Sequence, residues 1–350
     1  MTSWGSHVSE RVRRRRAGHW YAAIVIAGLV IGSWLPGAAR SAGGADDWAA
    51  FDAAIGQVGP RVGFLAAEVV DGACETVHGY GEEQRLAIAS TFKLYVLAAL
   101  ARQVAAEEAS WGERIVIRDE LRSMPSGATA YEPEGTRRTL EELALRMIRD
   151  SDNTATDHLI DRLGRERIEA ALADFGHGNP EINMPFLLTR ELFAMKMHVE
   201  RDVVEKYLAA PDDEQRNILS NRIDPILLNP NNWGHWTGPS WVDGLEWFAS
   251  PLEVCGVLAA LEDLADDPAL RPLAGILGAN RGDVFAGRRW PFAGYKGGYE
   301  AGVVNATWLL ERADGRTFVV TAGFNDPEAY INQGLVWQVL PRVEGLLRGE

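Results

Sequence analysis

The 350-residue sequence predicts a mixed α/β fold of the α+β type. In this fold one antiparallel sheet is built from both ends of the chain and flanked by helices, and an all-helical lobe is inserted between its two halves. Strand-like segments lie near both ends, and each end carries a hairpin turn signal, Asp71-Gly72 and Asp314-Gly315. The middle of the chain instead repeats apolar residues at helical spacing. We therefore expect a ligand-binding cleft between sheet and lobe.

The first half of the predicted sheet is preceded by a helix. Residues 45–58 have apolar residues at helical spacing, and residues 64–70 and 75–80 have the composition of two strands. A strongly helical run, residues 91–105, follows directly after Ser90. Ser90 is therefore expected at the beginning of a helix.

The remaining elements complete the lobe and the sheet. Thr139 is a suitable N-cap for the next predicted helix, and residues 303–311 and 317–323 predict the second hairpin. The other predicted helices are residues 140–149, 153–163, 165–175, 190–197, 202–208, 251–264 and 333–347. The sheet subdomain then comprises about residues 45–105 and 285–350, and the helical lobe about residues 106–284.

The N-terminus has the layout of a secretion signal. An arginine-rich segment, residues 11–16, precedes the uncharged residues 21–35, and small residues follow at 37–42. We expect residues 1–42 to be a signal peptide and residues 43–350 to form the mature domain. An uncleaved anchor is the alternative, because the apolar run approaches the ~20 residues needed to span a bilayer.

Charge and cysteine content exclude several classes of protein. Removing residues 1–42 takes away six Arg and one Glu and lowers the formal charge from −14 to −19, and so acidic a chain would repel nucleic acid. A membrane contact is expected only through the N-terminal segment. Cys74 and Cys255 are the only cysteines, so at most one disulfide can form, and the sequence does not show whether they pair.

The first candidate motif is Ser90-Thr91-Phe92-Lys93, which places a hydroxyl and an amine about one helical turn apart. The helix dipole would stabilise an alkoxide at Ser90, and burial would lower the pKa of Lys93 so that it acts as a base near neutral pH. A capping serine with a surface lysine is the ordinary alternative. The catalytic interpretation is favoured because the chain has 31 Arg but only four Lys, and arginine cannot give up its proton.

The second motif, Ser151-Asp152-Asn153, lies at the boundary between two predicted helices. Asp152 or Asn153 can serve there simply as a helix cap. In the functional interpretation, Ser151 relays a proton to the leaving group and Asn153 holds a substrate amide.

The third motif, Lys296-Gly297-Gly298, precedes a strand-like run. Glycines beside a strand let a ligand approach the backbone, so Gly297 and Gly298 are candidate substrate contacts. Lys296 can hold a substrate carboxylate or tune the hydroxyl of the second motif. The backbone amides of Ser90 and Tyr299 can form an oxyanion hole. A loop with a solvated lysine is the alternative.

Together, the three motifs resemble the set Ser-x-x-Lys, Ser-Asp-Asn and Lys-Thr-Gly of class A β-lactamases and penicillin-binding proteins. The resemblance extends over almost the whole chain after residue 42. It implies a β-lactamase/transpeptidase-like fold, with Ser90, Lys93, Ser151 and Lys296 as catalytic residues. It also implies that Ser90 is acylated by a β-lactam, a peptide or an ester.

Three features depart from the class A pattern. Gly297 replaces a hydroxyl-bearing residue, and residues 303–310 contain no arginine for a substrate carboxylate. A glutamate followed by an asparagine four residues later, the class A pattern for deacylation, is not evident. The weak candidates for a deacylating glutamate are Glu181, Glu191 and Glu246. The tryptophan-rich segment 229–248 is a candidate cleft lining, although such residues more often pack in cores.

Other chemistries fit the sequence poorly. Gly-x-Ser-x-Gly, His-Glu-x-x-His and phosphate-loop motifs are absent, and the histidines are scattered, so we expect no metal and no cofactor. The expected function is an exported β-lactamase-like serine hydrolase. The alternatives are a D-Ala-D-Ala-type peptidase or esterase and, from another class, an acylated sensor or a non-catalytic penicillin-binding module.

Overall fold

The computed structural model describes residues 44–231, 238–285 and 289–347. The predicted signal segment, residues 1–42, lies outside this range, as do Trp233 and Trp236 of the tryptophan-rich segment. Within the described residues, no helix has both the length and the apolar character needed to cross a bilayer.

The helices are α1 (Ala45–Ile55), α2 (Lys93–Ala105), α3 (Leu140–Arg149), α4 (Asn153–Leu163), α5 (Arg165–Ala171), α6 (Thr189–Met197), α7 (Arg201–Ala209), α8 (Asp212–Ile218), α9 (Pro251–Leu264), α10 (Pro272–Leu277), α11 (Gln333–Val339) and α12 (Arg342–Leu346). The strands are β1 (Arg61–Val70), β2 (Ala73–Tyr80), β3 (Leu86–Ala87), β4 (Arg114–Val116), β5 (Arg137–Thr139), β6 (Phe248–Ala249), β7 (Phe292–Glu300), β8 (Val303–Glu311) and β9 (Thr317–Asn325).

Five of these strands form one antiparallel sheet in the order β2-β1-β9-β8-β7. Strand β1, from the first part of the chain, pairs along its length with β9, from the last part. The sheet is therefore built from both ends of the chain, and the predicted fold class is confirmed. Strand β7 forms one edge of the sheet and packs against the turn that carries Ser90.

Apolar side chains cover both faces of the sheet. On one face, α1, α11 and α12 pack over a core that includes Phe51, Phe64 and Trp308. On the other face, α9 lies between the sheet and α2, and this second core continues into the helices of the lobe. Helix α2 is buried on nearly every side, as expected for a helix that is apolar all round. Its first residue, Lys93, is therefore held in the interior.

Local capping agrees with the sequence analysis. The hydroxyl of Thr139 accepts a hydrogen bond from the backbone of Glu142 at 3.1 Å, and the Glu142 carboxylate accepts one from the backbone of Thr139 at 2.8 Å. This capping box satisfies two backbone N–H groups that would otherwise lack partners at the start of α3.

Three predicted helices differ in their limits. Helix α2 begins at Lys93, because residues Ala89–Phe92 form a 3₁₀ turn, so Ser90 lies in the turn and not in the helix proper. The helix predicted over residues 165–175 ends at Ala171 and continues as a 3₁₀ turn. The closing helix is divided into α11 and α12 at Pro341, which has no N–H to donate.

The two cysteines form a disulfide between Cys74 of β2 and Cys255 of α9. This answers the question that the sequence left open. The bond joins residues 181 positions apart and links α9 covalently to the sheet on which it packs. A disulfide that closes a long loop lowers the conformational entropy of the unfolded chain. This bond should therefore stabilise the folded state.

The double variant Cys74→Ala/Cys255→Ala should lower the free energy of unfolding by about 2–5 kcal/mol. Urea denaturation of the oxidised wild type and of the variant measures the difference, with reduced wild type as the control. An unchanged midpoint in the variant would contradict the stabilising role.

Candidate active site

A cleft of about 390 Å³ lies between the edge strand β7 and the helical lobe. It brings together the three motifs that the sequence analysis singled out. The side chains or backbone of Ser90, Ser151, Asn153, Lys296, Gly297, Gly298 and Tyr299 line it. Residues from distant parts of the chain therefore meet at the predicted junction of sheet and lobe.

Ser90 is half-buried and lies in a strained turn at the cleft. The preceding residue, Ala89, has φ of 43°, in the left-handed region that non-glycine residues seldom adopt. Such conformations persist only where the surrounding structure fixes them, and they cluster at functional sites. The backbone of Ile88, on the same turn, donates from its N–H to the carbonyl oxygen of Trp247 at 2.9 Å, which fixes the turn from the lobe side.

Strand β7 fixes the same turn from the sheet side. A Cβ atom added at Gly298 would lie 2.2 Å from the carbonyl oxygen of Ile88 and 3.0 Å from the backbone nitrogen of Ser90. Only a residue without a side chain allows this approach. Gly298 is therefore needed for contact between the strand and the serine turn.

Lys93 is fully buried beside the second motif. Its Nζ donates to the carbonyl oxygen of Ser151 at 2.6 Å, to Oδ1 of Asn153 at 2.6 Å and to Oγ of Ser151 at 3.1 Å. Burial lowers the pKa of Lys93 to about 7, and the negative charges of Asp152 and Asp157 offset only part of that effect. The amine is therefore poised to gain or lose a proton near neutral pH.

Lys296 approaches the same hydroxyl from β7. Its Nζ donates to Oγ of Ser151 at 3.1 Å and to the carbonyl oxygen of Gly297 at 2.5 Å. Burial, together with the charge of Lys93, lowers the pKa of Lys296 well below its usual range. The Ser151 hydroxyl thus lies between two lysines, where it can pass a proton in either direction.

The second motif has the capping role considered for it, and the cap lies next to Ser151. The carboxylate of Asp152 caps α4 by accepting from the backbone of Ala155 at 2.9 Å, and it also accepts from the backbone of Thr129 at 2.9 Å. This capping fixes the adjacent Ser151, whose φ of 54° is again left-handed. The same local structure therefore caps α4 and places the Ser151 hydroxyl.

The amide of Asn153 is already engaged within the protein. Its Oδ1 accepts from Lys93, and its Nδ2 donates to the carbonyl oxygen of Met124 at 2.9 Å. Each end of an amide can make two hydrogen bonds, so one lone pair and one N–H remain available for a substrate. Its role as a substrate contact remains a prediction.

The backbone of Tyr299 faces the cleft side of the sheet edge. The N–H of Tyr295 points away from β8, because it donates to the carbonyl oxygen of Asn280 at 2.8 Å. Backbone groups alternate direction along a strand, and the pairing of β7 with β8 continues without a register shift to Glu300. The N–H of Tyr299, four residues on, therefore points to the same free edge, as an oxyanion-hole donor requires.

The three candidate deacylating glutamates do not line the cleft. Glu191 is buried in an ion pair with Arg165, and Glu246 is buried in an ion pair with Lys196. Glu181 is exposed in a 3₁₀ turn. Among the described residues, the one carboxylate at the cleft is that of Asp150, which is paired with the guanidinium of the neighbouring Arg149 at 2.6 Å.

Several cleft residues were missed in the sequence analysis. Ser126 donates to the carbonyl oxygen of Ser151 at 2.6 Å, and Asn305 of β8 accepts from the hydroxyl of Thr91 at 2.9 Å. The other missed lining residues include Phe193, Asn280, Tyr295, Gln333 and Trp337. None belongs to a short motif, so only the folded structure brings them to the site.

The described tryptophans of the 229–248 segment pack elsewhere. Trp247 is buried and stacks on Phe92 with ring centroids 3.7 Å apart, and Trp241 lies under the guanidinium of Arg201. Within the described residues no group of histidine, cysteine and acidic side chains has the arrangement of a metal site.

The fold and the arrangement of the three motifs at the cleft are those of a β-lactamase-like protein. The profile of the Beta-lactamase enzyme family matches residues 48–223, half of the chain. The chain therefore belongs to that family. No curated protein matches the chain.

Solved structures share the fold over most of the chain. A β-lactamase from Sphaerobacter thermophilus DSM 20745 is 22% identical with a TM-score of 0.58, covering 87% of this chain and 95% of that one. A β-lactamase from Chitinophaga pinensis DSM 2588 is 15% identical with a TM-score of 0.59, covering 87% and 98%. A variant of PBP-A, solved as an acyl-enzyme complex with penicillin G, is 16% identical with a TM-score of 0.58, covering 87% and 95%. At these identities the likeness shows the fold.

The substitution Gly298→Ala should slow the reaction of Ser90 with an acylating reagent by about 100-fold, because the new methyl group would collide with the Ile88 carbonyl and displace the serine turn. Gly275→Ala is the control, because Gly275 does not line the cleft and a Cβ atom added there would meet nothing within 4 Å, so a much smaller effect is expected.

The rates are measured by labelling with a fluorescent penicillin, and circular dichroism verifies that both variants fold. Equal rates for the two folded variants would show that the close approach of Gly298 is not required.

Proposed function

We propose that this protein is an exported serine hydrolase that forms an acyl-enzyme on Ser90 and hydrolyses a β-lactam or a related amide or ester. The observation that carries the proposal is the buried Lys93, whose amine has a pKa of about 7 one helical turn after Ser90 and contacts Ser151 in the same cleft. A strongly shifted lysine in a cleft with a serine suits proton transfer better than a structural role.

The neutral form of Lys93 is arranged to act as a base. Two N–H groups can remain bonded to the Ser151 carbonyl and to Asn153 Oδ1, both at 2.6 Å. The lone pair is then free to accept a proton from a hydroxyl. In the described structure the hydrogen bonds of Lys93 do not include Ser90 Oγ, and such contacts often tighten only when substrate binds.

In the acylation step, Lys93 takes the proton of Ser90, and the serine oxygen attacks the carbonyl carbon of the substrate. A carbon–oxygen bond forms, the carbon–nitrogen bond breaks, and a proton passes through the Ser151 hydroxyl to the departing nitrogen. The backbone N–H groups of Ser90 and Tyr299 stabilise the negative oxygen that develops. Lys296 donates a hydrogen bond to the Ser151 hydroxyl at 3.1 Å and so orients it for the transfer.

Hydrolysis of the acyl-enzyme should be slow. A water molecule must attack the ester carbonyl, and a nearby general base accelerates that attack by typically 10²–10⁴-fold. Among the described residues, the cleft offers Asp150 as its one carboxylate, and Arg149 holds it. This observation favours a second candidate function, that of a penicillin-binding peptidase or sensor that stays acylated.

Export is supported by two observations. The first 42 residues have the layout of a secretion signal. Cys74 and Cys255 form a disulfide, and disulfides persist mainly in oxidising compartments outside the cytosol.

Incubation with a fluorescent penicillin should give an adduct that accumulates to one penicillin per chain, because hydrolysis of the acyl-enzyme is slow. Ser90→Ala should give no adduct, and Lys93→Arg should acylate at least about 100-fold more slowly, because arginine cannot accept the proton. Intact-mass analysis follows the adduct, and hydrolysis of a chromogenic cephalosporin is recorded in parallel.

An adduct on Ser90→Ala, or an undiminished rate in Lys93→Arg, would refute the mechanism. Rapid hydrolysis that depends on Ser90, without an accumulating adduct, would refute slow deacylation and leave the hydrolase assignment intact. A lack of any reaction with β-lactams, but acylation by a small thioester or peptide ester, would assign the site to a peptidase or esterase.

The acylation rate should rise with pH and level off, with a midpoint near 7. Below this pH Lys93 is protonated and cannot accept the serine proton, and above it the amine is neutral. The second-order rate of adduct formation between about pH 5.5 and 8.5 tests this, since ten times less base is present for each unit below the pKa. A midpoint near 10 would show that Lys93 titrates as an ordinary amine.

A further inference from the structure

A third buried lysine, Lys196, lies in a cluster with two glutamates. Nζ of Lys196 donates to Oε1 of Glu246 at 2.6 Å and also to Oε1 of Glu300. The three side chains are nearly inaccessible, with exposures of 1%, 0% and 3%. We call these residues the Lys196 cluster.

The Lys196 cluster contains more negative than positive charge. With both glutamates ionised, two carboxylates would face one ammonium group away from solvent. Oε2 of Glu246 is buried and accepts no hydrogen bond within the described structure, which indicates an excess of acceptors over donors. Two carboxylates so close in a dry site cannot both ionise readily, and they normally share one proton.

The cluster joins three segments that border the cleft. Lys196 lies one helical turn after Phe193, a cleft-lining residue of α6. Glu300 ends β7, directly after Tyr299 and two residues after Gly298, which contacts the serine turn. The sequence separations within the cluster are 50 and 104 residues. These segments therefore meet only in the folded chain, where the Lys196 cluster links them.

Glu246 connects the cluster to the other side of the serine turn. The next residue, Trp247, accepts the hydrogen bond from the N–H of Ile88 and stacks on Phe92. The serine turn is thus held between Gly298 and Trp247, and each of these is within two residues of a glutamate of the cluster.

We propose that Lys196, Glu246 and Glu300 are positioning residues of the active site, and that they hold α6, Trp247 and the end of β7 around the Ser90 turn only while the two glutamates share a proton. The inference rests on the proposed function, because its main consequence is for the acylation of Ser90. None of the three residues is at the cleft surface, so they act through the segments that they join.

The charged groups that act on Glu300 are Glu246, which precedes Trp247, and Lys196 of α6. Burial and the charge of Glu246 raise the pKa of Glu300 well above its usual range, and Lys196 only partly opposes them. For Lys196, the two glutamates outweigh burial, and its pKa is raised. With the shared proton in place, the cluster has one ammonium, one carboxylate and one carboxylic acid. When the pH rises through the pKa of Glu300, the cluster gains an unbalanced negative charge and should loosen.

The variant Glu300→Gln keeps an uncharged hydrogen-bonding group in place of the protonated acid, whereas Lys196→Met leaves the glutamates without their cation. Wild type should therefore show an alkaline fall in the rate of acylation by a fluorescent penicillin as the pH rises through the pKa of Glu300. Glu300→Gln should react within about threefold of wild type at pH 7 but lose that fall or move it to higher pH. Lys196→Met should react about 100-fold more slowly.

Glu191→Gln is the matched control, because Glu191 is also a buried, ion-paired glutamate but is outside the Lys196 cluster. A purely structural role for the cluster predicts that Glu300→Gln and Glu191→Gln lose stability while keeping the wild-type pH profile. The absence of an alkaline fall in wild type, or an identical fall in Glu300→Gln, would overturn the proposal.

Hydrogen–deuterium exchange at residues 86–92 and 246–249 tests the positioning without requiring any reaction. Exchange should be faster in wild type than in Glu300→Gln at pH 9.5 and equal at pH 7. If no reagent acylates Ser90 in wild type, the proposed function fails, and the exchange data alone decide on the cluster. Equal exchange in the two proteins at both pH values would overturn the positioning role.

Discussion

The site depends on the burial of one amine. Lys93 is the first residue of a helix that is enclosed on nearly every side, so its ammonium group has lost its water and receives only partial compensation from nearby carboxylates. A desolvated charge is costly, and the molecule relieves that cost by releasing a proton near neutral pH. The three oxygens around Nζ, the capped helix α4 and the left-handed Ser151 are all arranged around this amine.

A second constraint is the close contact between a sheet edge and a turn. Ser90 is in a 3₁₀ turn, and β7 reaches it only because Gly298 has no side chain. The same strand brings Lys296 to the Ser151 hydroxyl. Rigid strand geometry therefore sets the distance between nucleophile, relay and second lysine. The buried polar contacts of Thr91, Asn305 and Thr307 tie the turn to the next strand and add to this rigidity.

Much of the fold follows from local patterns. Hairpin turns at both ends and helical spacing between them were sufficient to predict a sheet built from both ends of the chain, although its edge strand β7 was not predicted; the Thr139 cap was predicted from one residue. The three motifs were found because each is short and contiguous. The pairing of Cys74 with Cys255, the contact of Ser126 with Ser151 and the Lys196 cluster could not be predicted, because they join residues distant in sequence and leave no local periodicity. The break at Pro341 could have been predicted, since proline in a helix interior removes a donor.

The pairing of β1 with β9 has a consequence for how the molecule is made. A chain that emerges with its N-terminus first has β1 and the serine turn early, but the neighbour of β1 in the centre of the sheet is among the last segments to appear. Such high contact order slows folding and makes it concerted, since the entropy of closing a long loop is lost before the pairing stabilises anything. The nucleophile and the second lysine thus come together only after strands β7, β8 and β9 have been made, and a chain without these strands has no assembled site.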